Sequence, residues 1–169
     1  MLVEILTICP YCSYYLSEGR CCKVDDVVKL LDENLRYISH ELIEDTLFIQ
    51  VASERLSLTC PSCGTDSVKV HSRYERTFHD LPIQGKKVVY VINNRKMFCH
   101  NTRCHRKTFA EPFLFLPYKA KKSTRLEQEI MKVAQNVSSL AAEKILNRGI
   151  AKVGKSTICN LLKKNNRNR

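Results

Sequence analysis

The clearest pattern of hydrophobic and polar positions lies in the last third of the chain, where it predicts helices. Residues 124–127 fit a capping box that starts a first helix, and Ser138 or Ser139 can cap a second. Gly149 is well placed to end the second helix, and residues 155–164 supply a third. The first helix has one apolar stripe, formed by Leu126, Ile130, Val133 and Val137. The second helix carries Leu140, Ala141, Ile145 and Leu146, and the third would face inward with Ile158, Leu161 and Leu162. Three short helices with a tight turn before the last predict a helix-turn-helix.

The middle of the chain has the composition of β-strands. Residues 68–78 and 86–98 are rich in Val, Tyr, Phe and Ile, and Pro82 and Gly85 lie between them. These segments predict two antiparallel strands around a loop. Residues 112–123, which contain two prolines and three lysines, predict a basic linker.

The first third predicts one helix and one short hairpin. Apolar residues between positions 24 and 38 have near-helical spacing, and Asp25 and Asp26 favour a helix start. Residues 46–58 then alternate between apolar and polar positions, which predicts a hairpin that turns near Ser53-Glu54. This acidic part has the character of a scaffold.

The charge of the chain is concentrated toward its C-terminus. The net charge of +11 divides into −5 for residues 1–59, +6 for residues 60–118 and +10 for residues 119–169. Such a basic end favours a polyanionic partner, because neutralising phosphates releases their counterions. The 44% content of hydrophobic residues excludes a wholly disordered protein.

The sequence shows no targeting or membrane segment. The apolar opening from Leu2 to Ile8 contains Glu4 and lacks a basic leader, and no apolar run approaches the roughly 20 residues of a membrane span. We therefore expect a cytoplasmic protein without a membrane partner. Thiols stay reduced in that compartment, so paired cysteines more often bind metal than form disulfides.

Four cysteines form two chelating pairs, one at each end of the predicted strands. Cys60 and Cys63 have the spacing of a turn that directs two thiolates at one ion, and Cys99 and Cys104 form the second pair. A hairpin that brings residues 60 and 100 together would complete a tetrahedral Zn²⁺ site, closed to activated water. Four unrelated buried thiols are the alternative. Histidines that could substitute as ligands, but that are more often surface residues, are His71, His100 and His105.

The predicted fold class is α+β. It combines a small N-terminal α/β segment, a zinc-ribbon-like β-hairpin module and a C-terminal three-helix helix-turn-helix. The predicted division is residues 1–59 as the N-terminal helix and hairpin segment with its own cysteines, 60–111 as the zinc-binding β module, 112–123 as the basic linker, 124–164 as the helix-turn-helix and 165–169 as a basic tail. A module this small usually needs a metal or disulfide to fold.

Several motifs between about residues 45 and 164 resemble the ISL-three family of insertion-sequence transposases. They are Cys60-Pro61-Ser62-Cys63-Gly64, Val70-His71-Ser72-Arg73-Tyr74-Glu75-Arg76, Asp80-Leu81-Pro82-Ile83-Gln84-Gly85, Arg95-Lys96-Met97-Phe98-Cys99, Cys104-His105-Arg106-Lys107-Thr108-Phe109-Ala110-Glu111 and Thr124-Arg125-Leu126. The resemblance implies a region that binds double-stranded DNA at the terminal inverted repeats of a mobile element. In that family a catalytic RNase H-like domain follows, so we expect binding without catalysis by this chain alone, as in a truncated or split transposase.

The helix-turn-helix indicates which residues would contact DNA. Its last helix would enter the major groove, where Ser156, Thr157 and Asn160 would contact bases. The lysines that would hold phosphates are Lys152, Lys155, Lys163 and Lys164. The cations of the zinc module that could grip an adjacent stretch are Arg73, Arg76, Lys86, Lys87, Arg95, Lys96, Arg106 and Lys107. The sequence does not set the DNA target or the oligomeric state, and a homo-oligomer is compatible with it.

Two other motifs indicate other functions. Gly149 to Ser156 satisfies the phosphate-loop pattern and suggests nucleotide binding, although helical residues precede it instead of a strand. Residues 3–12 resemble the strand and active-site turn of glutaredoxins, which suggests thiol-disulfide activity at Cys9 and Cys12. With Cys21 and Cys22 nearby, a second small metal site and idle cysteines are equally open alternatives.

Overall fold

A computed structural model of the protein describes residues 24–167. Strands and helices are both present, so the fold is mixed. In chain order the elements are α1 (Val24–Lys29), β1 (Leu35–Ile43), β2 (Thr46–Ser53), β3 (Leu58–Thr59), β4 (Asp66–Ser67), β5 (Val70–Ile83), β6 (Lys86–Phe98), β7 (Thr108–Ala110), α2 (Thr124–Asn136), α3 (Ser139–Gly149) and α4 (Lys155–Arg167). Within the described range, every helix is too short or too polar to cross a membrane.

The main sheet has five strands, and it joins the first third of the chain to the middle. Its order is β1-β2-β6-β5, with β7 also paired to β6. The β2–β6 pair is parallel, whereas the β1–β2 and β5–β6 pairs are antiparallel. The β2–β6 pair crosses the predicted boundary after residue 59. The division of the chain into domains stays a prediction.

The N-terminal helix is shorter than predicted, and the first hairpin lies earlier in the chain. Helix α1 ends at Lys29, and residues 35–38 belong to β1, where Leu35 is paired with Ser53. The hairpin turns at Glu44-Asp45, with Glu44 at a φ of 52°, so the predicted turn near Ser53-Glu54 is wrong. Leu35 is the first residue of β1 and is fully buried, because a strand lets its side chain pack into the core while its backbone pairs with β2.

The predicted pair of strands in the middle is confirmed, and the first of them extends further along the chain than expected. Strands β5 and β6 are joined by Gln84 and Gly85, both at positive φ, as in the two-residue turns that match the twist of a hairpin. Strand β5 continues through Pro82, which the sequence placed in a loop. Proline is tolerated there because the ladder is irregular between Asp80 and Ile83.

The segment between residues 112 and 123 belongs to the core of the sheet. Phe113 and Leu116 are buried with Phe78 and Tyr90, and the Phe78 and Tyr90 rings are stacked 5.2 Å apart. The backbone N–H of His79 also donates to the carbonyl of residue 121. This segment, predicted as a basic linker, is therefore fastened to β5.

Helices α2, α3 and α4 share a second core. Its buried members include Leu126, Ile130, Leu146 and Ile158, one or more from each helix. Helix α2 begins one residue earlier than the predicted capping box, because the Ser123 hydroxyl accepts the Leu126 N–H at 3.2 Å. The predictions that Ser138 caps α3 and that Gly149 ends it are confirmed.

Candidate metal centre and basic surfaces

Two tight turns present the four cysteines of the predicted zinc site. Cys60 and Cys63 lie in the turn between β3 and β4, where the Gly64 N–H donates to the Cys60 carbonyl at 2.9 Å. Gly64 has a φ of 72°, a conformation that costs glycine little. Cys99 and Cys104 lie between β6 and β7, where the Cys99 N–H donates to the Lys107 carbonyl at 2.9 Å. Each turn therefore directs two thiols to the same side.

The four sulfur atoms have the separation that a tetrahedral zinc requires. The Sγ atoms of Cys60, Cys63, Cys99 and Cys104 all lie within 4.8 Å of one another, and those of Cys63 and Cys99 are 3.5 Å apart. A Zn–S bond of about 2.3 Å places tetrahedral sulfurs about 3.8 Å apart. All four are free thiols, and no histidine or carboxylate among residues 24–167 joins the group. The donor set fits a closed structural zinc site.

The environment of the thiols differs from one cysteine to the next. Hydrogen bonds from the Thr65 hydroxyl and backbone lower the pKa of the Cys63 thiol to about 6. Burial raises the pKa of the Cys99 thiol to about 12. The Thr65 hydrogen bonds thus favour the thiolate form of Cys63, and zinc binding requires the thiolate form of all four cysteines.

A small apolar cluster surrounds the cysteines. Leu58, Met97 and Phe109 are buried against Cys60 and Cys104. This cluster contains too few side chains to stabilise the turns alone, and structural zinc contributes folding free energy to such small modules. The metal centre therefore stabilises the end of the sheet where β6 and β7 meet.

Residues 57–105 match the family model described as the zinc-finger of transposase IS204/IS1001/IS1096/IS1165. This segment is similar to the zinc finger of ISL-three transposases. The match covers all four clustered cysteines, so the predicted resemblance is confirmed for this region and the cofactor is Zn²⁺. Comparison with curated proteins and with solved structures gives no match.

The basic residues predicted around the zinc finger have different surroundings. Arg73, Arg106 and Lys107 are exposed, and Arg76 and Lys96 are half-buried. Arg95 is only 8% exposed and forms an ion pair with Glu111, so the prediction that it grips DNA is wrong. The buried carboxylate holds this guanidinium inside the protein.

Glu111 ends one of the motifs that carry the family resemblance, but the sequence assigned it no role. Its carboxylate accepts hydrogen bonds from Arg95 Nε at 2.9 Å and Nη2 at 3.0 Å, and from the Ser53 hydroxyl at 2.5 Å. It thereby ties the end of β7 to β6 and β2. The available sequence signal was weak: Glu111 is the one acid in the otherwise basic stretch from residue 81 to residue 126.

Helix α4 presents most of the predicted DNA contacts to solvent. Ile158 is fully buried, whereas Thr157 is half-buried. The exposed residues from the predicted set are Lys152, Lys155, Ser156, Asn160, Lys163 and Lys164. The helix contains no acidic residue. Its outer face is therefore polar and cationic, and its inner face is apolar.

The two alternative functions have different outcomes. The stretch from Gly149 to Ser156 begins at the end of helix α3 and runs into helix α4. A phosphate loop follows a strand, so the prediction of nucleotide binding here is wrong. Cys9 and Cys12, like Cys21 and Cys22, lie outside the described residues.

Proposed function

We propose that the protein binds double-stranded DNA at the terminal inverted repeats of a mobile element. The observation that supports this proposal most directly is the amphipathic character of helix α4. Ile158 packs its inner face into the core, and its outer face exposes lysines and amides and has no acidic residue. Such a helix can lie in a major groove, because its cations neutralise phosphates while its amides and hydroxyls meet base edges. The transposase-type zinc finger at residues 57–105 supports the same assignment.

Helices α3 and α4 act in this proposal as a helix-turn-helix, with α2 as the supporting helix. Residues 150–154 connect them, and the Asn147 side chain holds this connection closed. Its Oδ1 accepts the Val153 N–H at 2.9 Å, and its Nδ2 donates to the Val153 carbonyl at 3.1 Å. This pair of bonds fixes the direction in which α4 leaves the turn.

The roles proposed for individual residues follow from exposure and chemistry. Ser156, Thr157 and Asn160 contact bases, and the Asn160 amide suits adenine. The phosphate contacts are Lys152, Lys155, Lys163 and Lys164 on the helical side and Arg73, Arg76, Lys96, Arg106 and Lys107 on the zinc-finger side. The zinc finger, with its closed coordination sphere, serves binding and not catalysis.

A salt titration of DNA binding tests the proposal. Fluorescence anisotropy with a duplex of the host element's terminal repeat should show affinity falling about a thousandfold between 50 and 200 mM salt, for about six phosphate contacts. Asn160→Ala should lower the affinity for that duplex about tenfold or more and leave the affinity for a scrambled duplex unchanged. Asn136→Ala, at the end of α2, is the matched control. Salt-independent affinity, or equal losses in both asparagine variants, would contradict the proposal.

A further inference from the structure

A cationic groove with exposed aromatic rings lies beside the zinc finger. It has a volume of about 900 Å³ and runs between the face of the main sheet and residues 106–118. Arg76, Lys96 and Arg106 contribute positive charge to it, and Pro61 of the first cysteine turn forms part of its wall. Glu111 also lines the groove, but its charge is neutralised by Arg95. The groove therefore has a positive balance.

The two tyrosines of the groove have accessible rings, and a hydrogen bond orients that of Tyr74. Tyr74 is 42% exposed, and its hydroxyl accepts a hydrogen bond at 2.8 Å from the amide of the fully buried Asn94. Tyr118 is 78% exposed, although large aromatic rings are usually covered. An exposed and oriented ring is a surface on which another planar group can stack.

Hydrogen bonds from Arg76 stabilise the turn that contains Tyr118. Arg76 Nη2 donates to the carbonyl of Pro117 at 2.6 Å and to that of Ala120 at 3.1 Å. Lys119, next to the tyrosine, has a φ of 58°, an uncommon conformation for a residue other than glycine. Backbone strain of this kind persists only where the surroundings enforce it, and it concentrates at functional sites. The fold maintains this turn and keeps the ring on its outer side.

We propose that this groove binds a short segment of single-stranded DNA. Unpaired bases stack on Tyr74 and Tyr118, and the phosphates between them are neutralised by the three cations. Cationic grooves with exposed aromatic rings are typical of proteins that bind single-stranded nucleic acid. The bases of an intact duplex are stacked on each other, so they present no free face to a ring. The two tyrosines lie outside helix α4, and the three cations are among those proposed above to hold duplex phosphates. The inference therefore adds single-strand binding to the zinc-finger side of the proposed surface.

The test compares single-stranded and duplex DNA on the same variants. We expect the intact protein to bind fluorescein-labelled oligothymidylate, and Tyr118→Ala to weaken this binding about tenfold or more, the range found for loss of one stacking platform. Tyr118→Phe keeps the ring and should retain the affinity. The duplex formed from the same oligonucleotide should bind the Ala and Phe variants equally. If the intact protein bound oligothymidylate but no duplex, the result would contradict the proposed role of α4 and leave the single-strand site supported.

Two lysine variants provide the charge control. Lys96→Ala removes a cation of the groove, whereas Lys132→Ala removes a cation of helix α2, where it is paired with Glu129 at 3.0 Å. Only the first should weaken oligothymidylate binding. Zinc content and the thermal transition verify that each variant is folded. The proposal is overturned if the intact protein does not bind oligothymidylate, if the Ala and Phe variants of Tyr118 lose affinity equally, or if both lysine variants behave alike.

Discussion

Asp80 on strand β5 and Arg125 on helix α2 form an ion pair at the junction between the sheet and the helices. Arg125 Nε lies 2.8 Å from Oδ1 and 3.0 Å from Oδ2 of the carboxylate, and its Nη2 also donates to Oδ2. The Ser123 hydroxyl, which caps α2, donates to the same carboxylate at 2.5 Å. One buried acid thus connects strand β5 to the start of the helical part.

We expect Asp80→Ala to destabilise the protein by roughly 3 kcal/mol. The change leaves the capping hydroxyl and a half-covered guanidinium without their acceptor, and removing one partner of a buried pair costs about that much. Urea denaturation followed by circular dichroism measures the loss. The matched control is Asp45→Ala, which removes the exposed pair with Lys86 and should cost less than about 1 kcal/mol. Similar losses in both variants would show that the junction does not depend on Asp80.

Replacing a cysteine of the cluster should remove the metal and unfold the zinc finger. We expect Cys63→Ser or Cys99→Ser to lose bound zinc, because a closed four-thiolate site tolerates no missing ligand. Metal analysis and the thermal transition measure both effects. Cys159→Ser changes a free cysteine of helix α4 outside the cluster and should keep zinc and stability. A Cys63 or Cys99 variant that retained full zinc and an unchanged transition would rule out the four-cysteine site.

Glu111→Gln should destabilise the sheet without removing zinc. The substitution keeps the shape of the side chain but leaves the buried Arg95 guanidinium without a counter-charge, at a cost of about 3–5 kcal/mol. The measurement is chemical denaturation at fixed zinc concentration. Glu129→Gln, which affects an exposed pair with Lys132, should change stability by less than about 1 kcal/mol. A stable Glu111→Gln protein would indicate that the pair is dispensable.

Asn147→Ala should loosen the connection between α3 and α4. It removes two hydrogen bonds to the backbone of Val153, worth about 1–3 kcal/mol together. Because the direction of α4 depends on this connection, affinity for duplex DNA should fall together with stability. Denaturation and anisotropy on the same preparation measure the two effects. Asn136→Ala loses only one exposed bond to the carbonyl of Lys132, so an equally large effect there would contradict the role of Asn147.

The sequence by itself determined the C-terminal helices, the central pair of strands and the chemistry of the metal centre. Two cysteine pairs specify a zinc site wherever the intervening strands form a hairpin, because each pair is a short turn whose geometry is local. Cysteine spacing therefore predicted the clustered sulfurs. Helices α2 to α4 were predictable for a similar reason, since caps and apolar stripes act within a few residues.

Only the tertiary structure decided how these elements combine. The apolar residues around Leu35 have a spacing that suits a helix, yet they form a strand because pairing with β2 buries Leu35 and satisfies its backbone. The sequence predicted Arg95 to contact DNA, but an ion pair with Glu111, 16 residues later in the chain, keeps its side chain buried. Both outcomes depend on long-range burial and pairing, which composition and periodicity do not encode. Local spacing thus set the C-terminal helices and the zinc ligands, and long-range packing set the first strand and which charges remain on the surface.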